Sequence, residues 1–240
     1  MSAFSESLGA AFDLIVNADA VLLHILRLSL LVSGSACLFA AAFGLALGAW
    51  VAVTRFPGHR VLQGLLSTLL ALPSVVVGLV VYLLLSRSGP LGSWGILFTP
   101  AAMVLAQTLL VLPVIAALAQ QLVRDGLREG GAQLRSMGAG PFTAACLMLV
   151  HERWAVLTIL LTAFGRAVSE VGAVMIVGGN IDGVTRVITT AIALETSKGD
   201  LPQALALGLV LLALVGLINL IIAVTQAWQR AQGGQSEYAR

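Results

Sequence analysis

Arg166 and Glu170 stand four residues apart in the apolar run TAFGRAVSEVGAV. On a helix that spacing puts both side chains on one face, where they can pair. Either charge alone in a bilayer would cost about 2.5–3.5 kcal/mol on insertion scales, so their presence demands a reason. One reason is a mutually satisfied pair that fixes helix packing. The other is a hydrated path that the two residues, with Ser169 between them, help to gate. A paired arrangement leaves little net charge to hold a passing anion, which suits transport better than storage.

The remaining reactive residue types form no second constellation. His24, His59 and His151 are isolated in the sequence, without the HExxH spacing of a zinc hydrolase. None lies mid-span, where an intramembrane serine hydrolase would need it. The single lysine, Lys198, sits between Ser197 and Gly199, so there is no GxxxxGK[ST] phosphate loop. The chain does not hydrolyse ATP by that route. Cys37 falls in an apolar run and Cys146 in a polar one, which gives neither a disulfide framework nor metal-ligand spacing; both read as small packing residues. These residues imply no catalytic group, metal or cofactor in this chain.

The elements that must position Arg166 and Glu170 follow from composition. Of 240 residues, 59% are hydrophobic and 10% charged, with a mean hydropathy of +1.00; a soluble domain carries about 25% charged residues. Apolar runs of about 20 or more residues indicate helical spans, and a bilayer forces the backbone to bond within each segment. The fold class is an all-α integral membrane protein with five spans, expected over residues 28–53, 61–86, 101–123, 154–177 and 201–228. Residues 1–27 carry Glu6, Asp13 and Asp19 among apolar residues and read as an N-terminal interfacial helix, with a sixth span as the alternative. No charged segment precedes an apolar core before Arg27, so no secretory signal is expected.

Within the spans, Gly44 and Gly48 allow a close helix approach, either inside the chain or to a second copy. Pro73 and Pro113 each fall near the middle of a span and remove a backbone hydrogen bond. Each reads as a packing kink or as a bend that lines a pathway. Asp200, Pro202 and Gln203 form a helix-start signature ahead of the last span. The longest polar stretch, residues 124–153, contains Arg124, Arg128, Arg135 and Arg153. With five spans, eight basic residues fall on its side of the membrane, against Arg87, Arg186 and Lys198 on the other. The positive-inside rule makes this stretch and the tail, residues 229–240, cytoplasmic, and turns the loop over residues 178–200 outward.

The segment RSMGAGPFTAACLMLV resembles the signature loop of binding-protein-dependent ABC importer permeases: Glu-Ala-Ala, three residues, Gly, then nine residues before a hydrophobic stretch ending in Leu-Pro. Gly138 matches the family glycine, and the apolar positions that follow are met by Met148 to Val150. Ala132, Gln133 and Leu134 occupy the Glu-Ala-Ala positions, and His151 replaces the proline. The segment FGRAVSEVGAVMIVGGNIDGVTRVITTAIALETSKGD is similar to molybdate and tungstate importer permeases, nearest the tungstate-specific branch. So are LSLLVSGSA, the FPG turn and ILFTPAAMVLAQTLLVLP.

The resemblance implies a type I ABC importer permease, a homodimer around one pathway. It implies separate cytoplasmic ATPase subunits that carry ATP and magnesium, and an extracytoplasmic binding protein that delivers tungstate or molybdate. Ala132, Gln133, Leu134, Arg135, Ser136, Met137, Gly138 and Ala139 would form a short coupling helix on the ATPase, with Glu129 in place of the missing acid. Arg166, Ser169, Glu170 and the backbone near Pro73 and Pro113 would border the pathway, while Asn180, Thr185 and Arg186 would face the binding protein. The competing expectations are a sulfate or other oxyanion importer of the same kind, a secondary transporter with Glu170 as proton carrier, and a membrane anchor without transport.

Overall fold

Proline and glycine divide the chain into helices, as a computed structural model shows. It describes Gly9, residues 20–54 and residues 57–237, with side chains from 226 onward and at 222 and 225 left out. The interfacial helix expected before residue 20 lies outside the described residues apart from Gly9. In order, the helices are α1 (Ala20–Val53), α2 (His59–Leu70), α3 (Ser74–Leu85), α4 (Pro100–Ser136), α5 (Pro141–His151), α6 (Arg153–Val168), α7 (Gly172–Gly178), α8 (Ile188–Lys198) and α9 (Leu201–Glu237). A 3-10 turn, Gly92–Trp94, joins α3 to α4.

Three of these are long and apolar enough to cross a membrane alone: α1, α4 and the Leu201–Ile221 part of α9. The pairs α2–α3 and α5–α6 pass the same test together but bend by 102° and 76°, so the described residues provide three to five crossings.

Several boundaries differ from those the sequence suggests. The helix that carries the first span is already formed at Ala20, ahead of residue 28. Leu22 and Ile25 pack with Ile188, Ala191, Leu207 and Val210, so residues 20–27 are helical turns packed against α8 and α9. Ser29 secures this end: its Oγ donates to Ile25 O at 2.7 Å and accepts the Ile188 N–H at 2.9 Å. The expected loop over residues 178–200 contains helix α8, whose first turn that hydroxyl holds.

The helix that carries the third span does not stop at residue 123. Helix α4 runs unbroken for 37 residues, about 55 Å at 1.5 Å per residue, against about 30 Å of hydrocarbon. Charge marks where α4 leaves the apolar zone, not where its helix ends. The expected fourth span, 154–177, is instead two helices, α6 and α7, broken at residues 169–171.

The core forms where α1, α3, α6 and α7 surround α4, with Val32, Ala40, Val81, Met103, Ala106, Val111, Ile115, Ala163 and Val174 among its buried members. Gly44 and Gly48 resolve in favour of packing within the chain. A Cβ on Gly44 would stand 3.0 Å from Ile115 Cβ and 3.1 Å from Leu112 O, and one on Gly48 would stand 2.8 Å from Ala119 Cβ and collide with Ala116 O. Small residues here let two helix backbones approach where lipid offers no hydrophobic drive.

Candidate functional site

Two helix breaks meet beside α4. The first follows from Pro73, which lacks an N–H and disfavours helix at Leu72. Helix α2 therefore closes with Ala71 N–H on Thr68 O at 3.1 Å, and Val76 N–H restarts the helix on Pro73 O at 3.0 Å. The second is residues 169–171. Ser169 Oγ donates back to Gly165 O at 3.0 Å, and Glu170 N–H turns onto Ala167 O at 3.2 Å. Glu170 Oε1 then accepts the Ala173 N–H at 3.1 Å and so caps the first turn of α7.

Distant residues hold this second break open. Gln107, 3% exposed on α4, donates from Nε2 to Ala167 O at 2.9 Å. Thr189 on α8 donates to Glu170 O at 2.8 Å. The two breaks are in contact, because a Cβ on Gly172 would stand 2.9 Å from both Ser74 Oγ and Val75 Cγ2. One turn further, a Cβ on Gly78 would reach within 2.8 Å of Ala173 Cα, so α3 and α7 pack backbone to backbone.

The expected Arg166–Glu170 pair does not form. The four-residue rule assumes one continuous helix, and α6 ends at Val168. Glu170 turns to the α7 backbone, while Arg166 is exposed and makes no ion pair among the described residues. Ser169 and Pro73 are exposed at the breaks. Pro113 is not: it is buried within continuous α4, close to where Gly44 meets Leu112 O, and acts as a packing element. Gln107 is the residue that sequence reading missed. Its only signal is an amide in an apolar helix, a side chain that must find a polar partner once buried.

Thr185 is corrected as well. It is fully buried, donates from Oγ1 to Gly178 O at 2.6 Å and accepts the Ile181 N–H at 2.9 Å. It therefore clamps its own loop and offers no surface to a partner. Arg186 pairs with Asp182 at 2.9 Å with its side chain 22% exposed, and Asn180 takes a left-handed conformation at φ 51.

The polar end of α4 forms the second region of interest. Residues 132–136 are its last turns rather than a separate short helix. Gly138 stops the helix at φ 82: its N–H bonds Arg135 O at 3.0 Å and Ala139 N–H bonds Leu134 O at 3.0 Å. This double closure is the Schellman pattern, and it needs a left-handed residue at that place. Pro141 then opens α5, which folds back on α4. Gly126 and Gly130 admit Met148, whose Sδ and Cε lie 2.9 and 3.4 Å from the positions their Cβ atoms would take. The result is a helical hairpin with an exposed tip. Glu129, Ala132, Gln133, Arg135, Ser136, Met137 and Gly138 are all exposed on it, and Leu134 and Ala139 partly so.

Comparison with known proteins identifies what such a hairpin belongs to. The chain is 43% identical over 222 residues to the tungstate uptake system permease TupB of Peptoclostridium acidaminophilum, covering 92% of this chain and 97% of the relative. The chain belongs to the ABC-transporter permease family. A probable anion ABC transporter permease of Haloferax volcanii is 46% identical over 207 residues, 82% of this chain and 88% of its own length. The sulfate transport permease CysW of Escherichia coli K12 is 30% identical over 239 residues, covering 95% and 80% of the two chains. No family model matches the chain. The permease is thus a multi-pass membrane protein and a translocation subunit.

Proposed function

We propose that this permease imports tungstate as the membrane subunit of an ABC transporter. Two copies enclose the path, two ATPase subunits bind ATP and magnesium on the cytoplasmic side, and an extracytoplasmic binding protein delivers the anion. The identity to a tungstate uptake permease over 92% of the chain carries this reading. The facing breaks at Pro73 and Ser169 support it. First-turn N–H groups of a restarted helix have no intrahelical acceptor, and exposed Ser169 and Arg166 add polar and positive character nearby. In this arrangement the exposed hairpin tip, Glu129 to Ala139, seats on the ATPase, with Glu129 supplying the carboxylate that Ala132 lacks. The charge asymmetry of the sequence orients this tip toward the cytoplasm.

The 30% identity to a sulfate permease favours one second reading, import of sulfate or another tetrahedral oxyanion such as molybdate. Uptake by the reconstituted complex, with its binding protein, separates the two. Unlabelled tungstate should suppress labelled tungstate uptake at lower concentration than molybdate or sulfate does. Equal or better competition by sulfate would overturn the tungstate assignment. Uptake that survives inactivation of the partner's ATP site but collapses with the proton gradient would overturn the ABC mechanism in favour of Glu170 as proton carrier.

A further inference from the structure

Arg124, Arg128 and Arg135 fall on one face of α4, at intervals of four and seven residues. Like charges four apart on a helix repel, so the stripe carries a standing bias toward an anion. Across from it, Arg60 lies in the first turn of α2. Between the two helices is a cleft of about 1110 Å³ lined by all four arginines. Among the described residues Asp125 reaches only Arg128, at 3.4 Å, with the two side chains 51% and 69% exposed, respectively. Among the described residues Arg60, Arg124 and Arg135 make no ion pair.

We propose that the Arg60–Arg124 end of this cleft, away from the hairpin tip, binds the phosphate headgroup of an anionic phospholipid. Guanidinium forks match phosphate oxygens in geometry as well as charge. Ala52, Val53 and Thr54, at the end of the first span, line the same cleft, which sets it at the depth of the membrane surface. Beside it, α2 exposes Val61 by 74% and Leu65 by 51%, an apolar face on which acyl chains can lie. A free oxyanion or a protein carboxylate would use the charge but leave that apolar face without a role. Basic pockets between helices at a membrane surface take up anionic headgroups, and each arginine strengthens the attraction by about fivefold. The proposal does not depend on which anion the transporter carries.

The test uses the purified full-length permease and lipid titration read by native mass spectrometry, with phosphatidylglycerol and phosphatidylcholine as probes. The wild type should retain phosphatidylglycerol preferentially. R60Q/R124Q should weaken that retention by about 25-fold, the product of two fivefold terms. R60K/R124K should keep most of it and serves as the folded comparison, and R153Q, outside the cleft, should match the wild type. Equal retention of the two lipids, or retention unchanged in R60Q/R124Q, would overturn the proposal. Displacement of phosphatidylglycerol by inorganic phosphate or tungstate at matched concentration would overturn it in favour of a free-oxyanion site. Exclusion of phosphatidylglycerol once the ATPase subunit is bound would overturn it in favour of a protein carboxylate.

Discussion

Gly138→Ala isolates what the hairpin tip requires. The residue sits at φ 82, and an L side chain in the left-handed region costs about 1–2 kcal/mol. Beyond its own chain neighbours, no heavy atom among the described residues lies within 4 Å of where its Cβ would stand, so overlap with the rest of the fold adds nothing. The energy falls on the two hydrogen bonds of 3.0 Å that close α4 onto Arg135 O and Leu134 O. A change of that size raises the unlatched population by about 5- to 30-fold. Hydrogen exchange over residues 134–140 of the purified permease reads that population directly. The expected result is faster exchange by that factor, partly reversed in Gly138→Asn because asparagine tolerates the conformation. Gly140→Ala is the control: its φ is −66 and its Cβ position is also empty, so exchange should not change. Wild-type exchange in Gly138→Ala, or equal acceleration in Gly140→Ala, would refute the reasoning. If the tip seats on the ATPase, recovery of that subunit with Gly138→Ala should fall in parallel.

Three further outcomes follow from the packing. Gly48→Ala drives a methyl to 2.8 Å from Ala119 Cβ and into Ala116 O, and should cost about 1–3 kcal/mol in detergent unfolding; an unchanged midpoint would mean that α1 and α4 can separate freely there. Thr185→Val removes the hydroxyl bonded to Gly178 O and the Ile181 N–H, at a cost of about 1–3 kcal/mol, whereas Thr185→Ser should stay near wild type in the same measurement. Arg166→Ala, at an exposed residue with no ion pair among the described residues, should change stability by no more than about 0.5 kcal/mol. Its uptake of tungstate should nonetheless drop, and unaltered uptake would remove Arg166 from the path.

Local signals in the sequence were reliable where local chemistry decides. The Asp200 cap is made, with Gln203 N–H on its Oδ1 at 3.1 Å. Pro73 and Pro113 show the limit, because one residue type gives opposite outcomes. Pro73 is exposed and the helix parts there; Pro113 is buried within α4, and that helix continues. The break at residues 169–171 was illegible for a similar reason. Its determinants, Gln107 and Thr189, lie 60 and 19 residues from the carbonyls they bind. Leu22 and Ile25 likewise find their packing partners at Ile188 and Leu207, beyond the reach of any window around the N-terminus. The turn at Gly138 was recognisable, but the length of the hairpin was not, since α4 carries helical order through a polar stretch that hydropathy alone reads as a loop.

That unbroken α4 has a mechanical meaning. Gln107 and Arg135 lie on the same rod, separated by about 42 Å at 1.5 Å per residue. A helix resists compression along its axis, so a load applied at the tip arrives at Gln107 as tilt or translation rather than being absorbed on the way. Tilting such a rod by about 5° around its buried middle swings each end by about 2.4 Å, for half-lengths near 27 Å. Gln107 lies about 17 Å from that middle and so moves by about 1.4 Å, roughly half the length of its 2.9 Å bond to Ala167 O. If the tip seats on the ATPase, the length of this one helix sets the stroke, and a flexible insertion between Val123 and Gly138 should shorten it even with both ends intact.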